Sequence, residues 1–397
     1  MKSALVLYPH QLFMTEHLPE VDTVFMVEDP LLFGLDPEHR MQLHKQKIIL
    51  MRASMRRYAE EVLWAAGHKV EYIELDVFMQ TRDLLDRVRK FDRTFMFDLA
   101  HEDLTARLLA ARRDMGDDAP AIEFLTHPNF YLKEYEVRQY FAERHIHPFD
   151  EFYQWQRERF NVLLEDYKPV GGSWMIDAKP KVAEGQLPSF AAFGDNKWVE
   201  EAKEFVKKHF PDNPGSSDFI WPTSHMEAAK WLHDFTSHRL DAYGLHAEQF
   251  KSDAPWMYHS ALSASLNIGL LSPQQVVDAA LKRHANKPVP LESLEPFIRN
   301  VLGHREFMRG VGVVGGRAIR ESNPLKSTRG LTNAWYEGTT GIPVFDDLVK
   351  KLLARGYAHN SERLLIAGTV EEVIDDRLQR KRGLSTAAVI GVEGGAE

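Results

Sequence analysis

The chain of 397 residues contains no cysteine. That excludes disulfides, thiolate zinc sites, cysteine nucleophiles and cysteine-ligated iron–sulfur clusters. Long apolar runs are missing as well. Stretches such as Ile48–Met51 and Val311–Val314 fall far short of the roughly 20 residues a membrane-spanning helix needs. One lysine, Lys2, precedes the short run Ala4–Tyr8, without the apolar core of a signal peptide. A cytoplasmic protein without a membrane partner is therefore expected. No P-loop, nucleophile elbow or zinc-protease helix occurs, and no internal repeat or low-complexity tract. A basic balance is absent too: 49 Lys and Arg against 58 Asp and Glu leave a net charge of −9. This excludes a uniformly basic, nucleic-acid-coating protein, but not a local positive face.

What is present is enough apolar residue for sizeable cores, 44% of the chain, so a folded protein of two or three domains is expected. Three regions differ in pattern. In residues 1–130, Ala4–Tyr8, Thr23–Val27, Val70–Leu75, Thr94–Phe97 and Ala121–Leu125 read as strands, and His44–Ala66 as a helix ended by Gly67. Strand alternating with helix predicts a parallel sheet covered on both faces. Residues 131–215 lose that rhythm, with one charged, aromatic helix over Asp150–Leu164, and read as an inter-domain connection. From 216 to 397 the pattern is helical. Ser224 can cap Met226–Arg239, Pro273 follows Ser272 at a helix start, and Glu292 onward runs amphipathically to Gly310.

Some motifs carry little. Gly310, Gly312 and Gly315 match the dinucleotide fingerprint by letter, but they follow a helical run rather than a strand, so a loop is expected there. His145, His147, His238 and His246 lack an acidic partner that would complete a metal set, and no metal site is expected. Arg299, Arg305, Arg309, Arg317, Arg320, Lys326 and Arg329 stand against Glu306 and Glu321 alone. On charge, a solvated face and a surface that attracts a phosphate backbone are equally good readings.

Other segments are more specific. One is Tyr258-His259-Ser260-Ala261-Leu262-Ser263-Ala264-Ser265-Leu266-Asn267-Ile268-Gly269-Leu270-Leu271-Ser272-Pro273. Another runs from Asn333-Ala334-Trp335-Tyr336-Glu337-Gly338-Thr339-Thr340-Gly341-Ile342-Pro343 through Asp346 to Tyr357-Ala358-His359-Asn360-Ser361-Glu362-Arg363. Between them lies His304-Arg305-Glu306-Phe307. In this order and spacing they resemble the flavin-binding helical domain of the photolyase/cryptochrome family. Gln11-Leu12, Glu28, His44-Lys45-Gln46-Lys47-Ile48, Ser54-Met55-Arg56, Gly171-Gly172-Ser173-Trp174, Asp177 and Trp221-Pro222 resemble the prokaryotic photolyase-related branch that carries an iron–sulfur cluster.

The resemblance implies an α/β N-terminal domain with a Rossmann-like parallel sheet of the antenna type, and an all-α C-terminal FAD-binding domain. It implies light-driven splitting of a pyrimidine dimer in UV-damaged DNA by electron transfer from reduced FAD, in a monomer. By position, His259, Ser260, Ala261, Leu262 and Ser263 would line the FAD phosphates, with Arg305 and Glu306 near the cofactor. Asn333, Trp335, Tyr336, Glu337, Gly338, Thr339 and Thr340 would face the DNA, together with Asn360 and Ser361. Trp335, His359 and Asn360 would be the catalytic group, Asn360 between lesion and flavin. Glu28, His44, Lys45 and Lys47 would surround an antenna, a lumazine in this branch. The physics is compatible: hydroxyl-bearing turns offer donors to a diphosphate, and an aromatic beside glycines can stack on a flipped base.

The chain departs from the family at three points. Without cysteine the cluster cannot form, and His304 stands where the family has tryptophan. Beyond Arg363 the family's acidic pair and flavin-facing asparagine give way to Val370–Arg377 and a Gly/Ala-rich tail, so the helical domain is expected to be C-terminally incomplete. Members that repair (6-4) photoproducts usually carry two adjacent histidines at 359–360; asparagine cannot transfer a proton, which leans toward cyclobutane dimers. A non-repairing cryptochrome-like photoreceptor and an inactive shortened member are the alternatives.

Overall fold

The computed structural model describes residues 2–367 except 77–78, 143–147, 184–186, 191, 250, 252–253, 255 and 323–329. Five parallel strands form one sheet: β1 (Ser3–Leu7), β2 (Thr23–Val27), β3 (Lys69–Ile73), β4 (Arg93–Phe97) and β5 (Ile122–Leu125), in the order β3-β2-β1-β4-β5. The register pairs Leu5 with Val24 on one side and with Phe95 on the other. Alternating side chains of the central strands are buried on both faces, as a doubly covered parallel sheet requires. Ala4, Val6, Phe25 and Met96 point to one core, with Leu84, Leu85, Leu104 and Leu108. Leu5, Leu7, Val24, Met26 and Phe97 point to the other.

The helices are α1 (Lys45–Tyr58), α2 (Thr81–Val88), α3 (Glu102–Met115), α4 (Glu134–Ala142), α5 (Phe149–Phe160), α6 (Lys197–His209), α7 (His225–His238), α8 (Tyr243–His246), α9 (Ser263–Ile268), α10 (Pro273–Asn286), α11 (Leu291–Ile298), α12 (Arg305–Glu321), α13 (Asn333–Glu337) and α14 (Pro343–Arg355). The second core runs without interruption from the sheet through α1 and α6 into α7, α10 and α11. Caps expected from sequence form: Ser224 Oγ accepts the Glu227 N–H, and Ser272 and Gln275 make a reciprocal box at the start of α10.

Three readings of local structure change. Helices α4 and α6 flank α5 in the region where α5 alone was expected; Val199, Ala202 and Val206 repeat at three and four residues and bury against α1. The glycines at 310–315 lie within helix α12, not in a loop, and Gly310 is buried because the Phe141 ring occupies the space a Cβ would need. The described arginines of the run are paired with acids, Arg309 buried and Arg317 and Arg320 exposed. Arg309 pairs with Asp98 (3.0 Å), Arg320 with Glu102 and Asp103 (2.9 and 3.1 Å), Arg299 with Glu295 and Asp177, and Arg317 with Glu321. Much of it clasps α12 to the sheet half; Lys326 and Arg329 lie outside the described residues.

Candidate functional site

The strand order reverses between β1 and β4, and the carboxyl ends of the strands there open into a crevice. A cavity of about 370 Å³ fills it. His10 follows β1, Leu31 and Leu32 follow β2, His101 follows β4, and His127 and Asn129 follow β5. The helical half closes it with Ile268 and Arg305. His10 Nε2 donates to the Leu99 carbonyl at 2.7 Å, and burial pushes its pKa down to about 4. His127 Nδ1 accepts the Asn129 N–H (3.2 Å), which puts the proton of the neutral ring on Nε2. That nitrogen and Asn129 Oδ1 are buried without a partner. Arg305 donates to the Asn129 carbonyl (2.5 Å) and lies 4.5 Å from the Phe130 ring centre.

Of the four residues expected around an antenna, Lys47 alone lines this cavity. Glu28 is fully buried, its oxygens taken by Arg52 (2.7 Å), the Tyr72 hydroxyl (2.7 Å) and the Leu75 N–H (3.0 Å). Its carboxylate is held inside the sheet half by these bonds. His44 caps α1 through Nδ1 and meets the Leu353 carbonyl through Nε2 (2.8 Å), while the Lys45 N–H bonds to the Pro214 carbonyl. Both therefore tie α1 to other elements.

A second region gathers around 259–263. The His259 ring stacks on His359, centres 3.8 Å apart, and burial with His359 beside it pushes the His259 pKa down to about 3. The Ser260 carbonyl accepts the Trp231 indole N–H (3.2 Å). Ala261 and Leu262 turn their side chains into the core, and Ser263 opens the short α9 exposed. The surroundings are aromatic: Trp231 lies parallel to Trp221 at 5.6 Å, and Phe190 contacts both Trp231 and Trp256.

Arg239, just past α7, is fully buried over Phe190 (4.4 Å). It gives Nη2 to Asp234 (2.7 Å), while Nε and Nη1 have no partner. Sequence reading did not single it out. The signal was available, because Ala228, Trp231, Leu232 and Phe235 set an inward face that position 239 continues.

Arg305 and Glu306, expected beside the same cofactor, sit elsewhere. The buried Glu306 carboxylate accepts the N–H groups of Tyr131 (3.0 Å) and Leu132 (3.2 Å), so the 304–307 segment grips the sheet-side crevice. His304 stacks on Phe149 at 4.0 Å. His359, not Asn360, meets the 259–263 turn; Asn360 is exposed, and Ser361 bonds the Ala247 carbonyl. Glu362 accepts the His359 N–H (3.0 Å) and pairs with Lys351. Burial would raise its pKa, but bonds from His359 and Lys351 prevail and hold it near 2.

The 333–340 segment is a pinned projection. Asp346 accepts the N–H and hydroxyl of Thr340 and the N–H of Gly341, at 2.7–2.9 Å. Gly338 ends α13 at φ 68°, where a side chain would strike the Asp346 carbonyl. Trp335 is half-buried edge-on to Phe345 (5.0 Å); Asn333, Tyr336, Glu337 and Thr339 are exposed. His238 is exposed and His246 stacks on Tyr258; His145 and His147 lie outside the described residues. Among the described residues no group of three or more His, Asp or Glu could hold a metal ion, and no helix is long and apolar enough to cross a membrane.

Residues 5–221, more than half of the chain, match the family described as deoxyribodipyrimidine photo-lyase-related protein. The chain belongs to that family. A (6-4) photolyase of Agrobacterium fabrum is 28% identical over 341 residues, covering 82% of this chain. The chain spans 65% of that relative's length. Among solved structures, a bacterial class III photolyase from Agrobacterium tumefaciens superposes with a TM-score of 0.60 at 18% identity, over 92% of this chain and 71% of that one. A Synechocystis cryptochrome superposes with 0.62 at 15% identity, over 93% and 75%. At these identities the two structures establish the fold: this photolyase-related protein shares their parallel-sheet N-terminal part and helix-rich remainder.

Proposed function

We propose that this photolyase-related protein is an FAD-dependent enzyme of light-driven DNA repair. The observation that carries the reading is a pair of buried donors without acceptors, Arg239 Nε and Nη1, linked through Phe190, Trp231 and Trp256 to the 259–263 turn. Buried, unpaired donors are costly, and a diphosphate supplies the acceptors they lack. By this criterion FAD fits, with Arg239 as binding residue and Ser260 and Ser263 as further hydroxyl donors. When bound and reduced, FAD supplies the photoexcited electron that splits a pyrimidine dimer and is then returned.

The chain's own part is binding and orientation. Trp335 and Tyr336 offer faces on which an extruded base can stack, held out by the Asp346-pinned loop. His359 is oriented by stacking on His259 and by Glu362. Although the Agrobacterium fabrum relative is a (6-4) photolyase, Asn360 cannot move a proton, which favours cyclobutane dimers as substrate. The pairing of Arg309 and Arg320 with acids of the sheet half supports a second reading, a non-repairing flavin photoreceptor, because it neutralises cations that a DNA backbone would need.

The test is to load the purified protein with FAD, reduce it, and illuminate it with oligonucleotides carrying either lesion. Loss of cyclobutane dimers is expected, and Trp335→Ala should weaken binding of damaged DNA by about 1–3 kcal/mol. Bound flavin without repair supports the photoreceptor, and failure to take up FAD overturns both readings.

A further inference from the structure

We infer that Gln46, a residue of the sheet half, is a positioning residue for the FAD site of the helical half. Its amide fixes the Trp221 indole and, through the stacked Trp231, the turn at 259–263. The inference rests on the reading of that turn as the FAD site, and adds to it a control exerted from the other half of the chain.

Gln46 is the second residue of α1 and is buried. Its side-chain amide is shared between two distant segments. Oε1 accepts the Trp221 indole N–H at 3.0 Å, and Nε2 donates to the Ala354 carbonyl at 3.0 Å, at the carboxyl end of α14. A buried amide engaged at both ends in opposite roles admits one orientation. Turned over, it would set N–H against N–H and oxygen against oxygen.

The seam around this amide is closely fitted. His44 Nε2 donates to the Leu353 carbonyl (2.8 Å), and Ser216 gives its N–H to Leu353 and its hydroxyl to Ala354 (both 3.2 Å). The last carbonyls of α14, beyond the reach of any helical N–H, are thus satisfied from α1 and from Ser216. Gly215 and Gly356 have φ of 92° and 65°, and a Cβ on either would press into the His44 ring. Glycine at both positions lets the two backbones close on the histidine. The seam therefore holds Gln46 at a fixed place relative to α14.

From Trp221 the turn is two steps away. Trp231 lies parallel to Trp221, their planes 2° and their centres 5.6 Å apart, and its N–H goes to the Ser260 carbonyl at 3.2 Å. Phe190 stands edge-on to Trp231 and covers the Arg239 guanidinium. Tyr357 touches both Trp221 and Trp256, at 5.8 and 5.4 Å, two residues before His359. Close-packed rigid rings pass on a displacement that flexible side chains absorb. Without the Gln46 oxygen, the Trp221 N–H is left buried with no acceptor, a costly state that the ring relieves by shifting. Trp231 and its bond to Ser260 shift with it.

The experiment compares the full chain with Gln46→Met, which loses both bonds, Gln46→Glu, which keeps an acceptor for the indole, Trp221→Phe, which keeps the ring and loses the N–H, and the double variant Gln46→Met/Trp221→Phe. FAD affinity is read by visible absorbance. Solvent exchange of the Trp231 indole N–H is read by NMR in FAD-free protein, and stability by urea unfolding. Gln46→Met should weaken FAD binding about tenfold and speed Trp231 N–H exchange by a similar factor. Trp221→Phe should do the same, the double variant should add little to either, and Gln46→Glu should stay near wild type in both. Lower stability with FAD affinity and Trp231 exchange unchanged makes Gln46 a structural residue and overturns the inference. So do additive effects in the double variant, or a Gln46→Glu protein that behaves as Gln46→Met. If the wild type takes up no FAD while Trp231 exchange follows Gln46 as expected, the FAD reading falls and the hold of Gln46 on the indole pair stands.

Discussion

Two regions that hold unpartnered buried polar atoms solve the same packing problem in opposite ways. At the sheet edge, His127 and Asn129 ride on the loop leaving β5, and the strand register keeps that wall apart from Lys47 on α1, so an open cavity remains. Around 259–263 the polar groups sit among helices and connecting segments, and aromatic rings have closed the space between them, their centres 4.6–5.6 Å apart. Backbone spacing in a sheet is set by hydrogen bonds and cannot relax into a void. Helix-borne side chains can repack into one. The first region thus stays open, and the second is closed by rings such as Phe190 and Trp256.

Acid should produce the largest effect and bears on both regions. His10 and His259 stay neutral in the folded protein down to about pH 4 and 3, but protonate near 6.5 when unfolded. Their contribution to stability is full above pH 6.5 and is lost as pH falls from there toward the folded values. By pH 5 each should cost about 2 kcal/mol, roughly 4 for both. Urea midpoints between pH 8 and 5 measure this. A flat profile would show the two rings reachable by water and remove the contrast between open and closed site.

Glu306→Gln comes next, with a loss of about 3 kcal/mol, because one of two buried N–H groups meets an amide N–H instead of an oxygen and Arg305 loses its neighbour. Urea unfolding measures the loss, and FAD uptake should stay unchanged. A fall in FAD uptake instead would return Arg305 and Glu306 to the cofactor.

The smallest change sharpens the comparison most. Arg239→Met should leave stability unchanged or slightly raised, since it removes two unsatisfied buried donors, and should weaken FAD binding by about 2 kcal/mol. Destabilisation with unchanged FAD affinity would make Arg239 a structural residue.

The strands were legible because apolar runs such as Thr23–Val27 can only be buried on both faces. Caps such as Ser224 and Ser272 were legible because their chemistry is local. The direction of a charge was not. Arg299 through Arg320 read as a surface run until α12 packed beside Asp98, Glu102 and Asp103, residues some two hundred positions away. Glu28 looked like a ligand group until Arg52 and Tyr72 enclosed it. Asn360 and His359 are neighbours in sequence, but the histidine, just before the helical residues that begin at 360, is buried against His259 while the asparagine is exposed.

By itself, the sequence determined the alternation of strand and helix, the absence of thiolate chemistry and the motifs that place this chain among photolyase-related proteins. These follow from side-chain type and short-range periodicity. Tertiary structure decided which residues line an opening, stay unpaired or turn inward: Lys47 lines the cavity and His44 does not, Arg239 keeps unpaired donors while Glu306 is bonded, and His359 is buried while Asn360 is exposed. Burial and pairing depend on what arrives from distant positions, and no local pattern encodes that arrival.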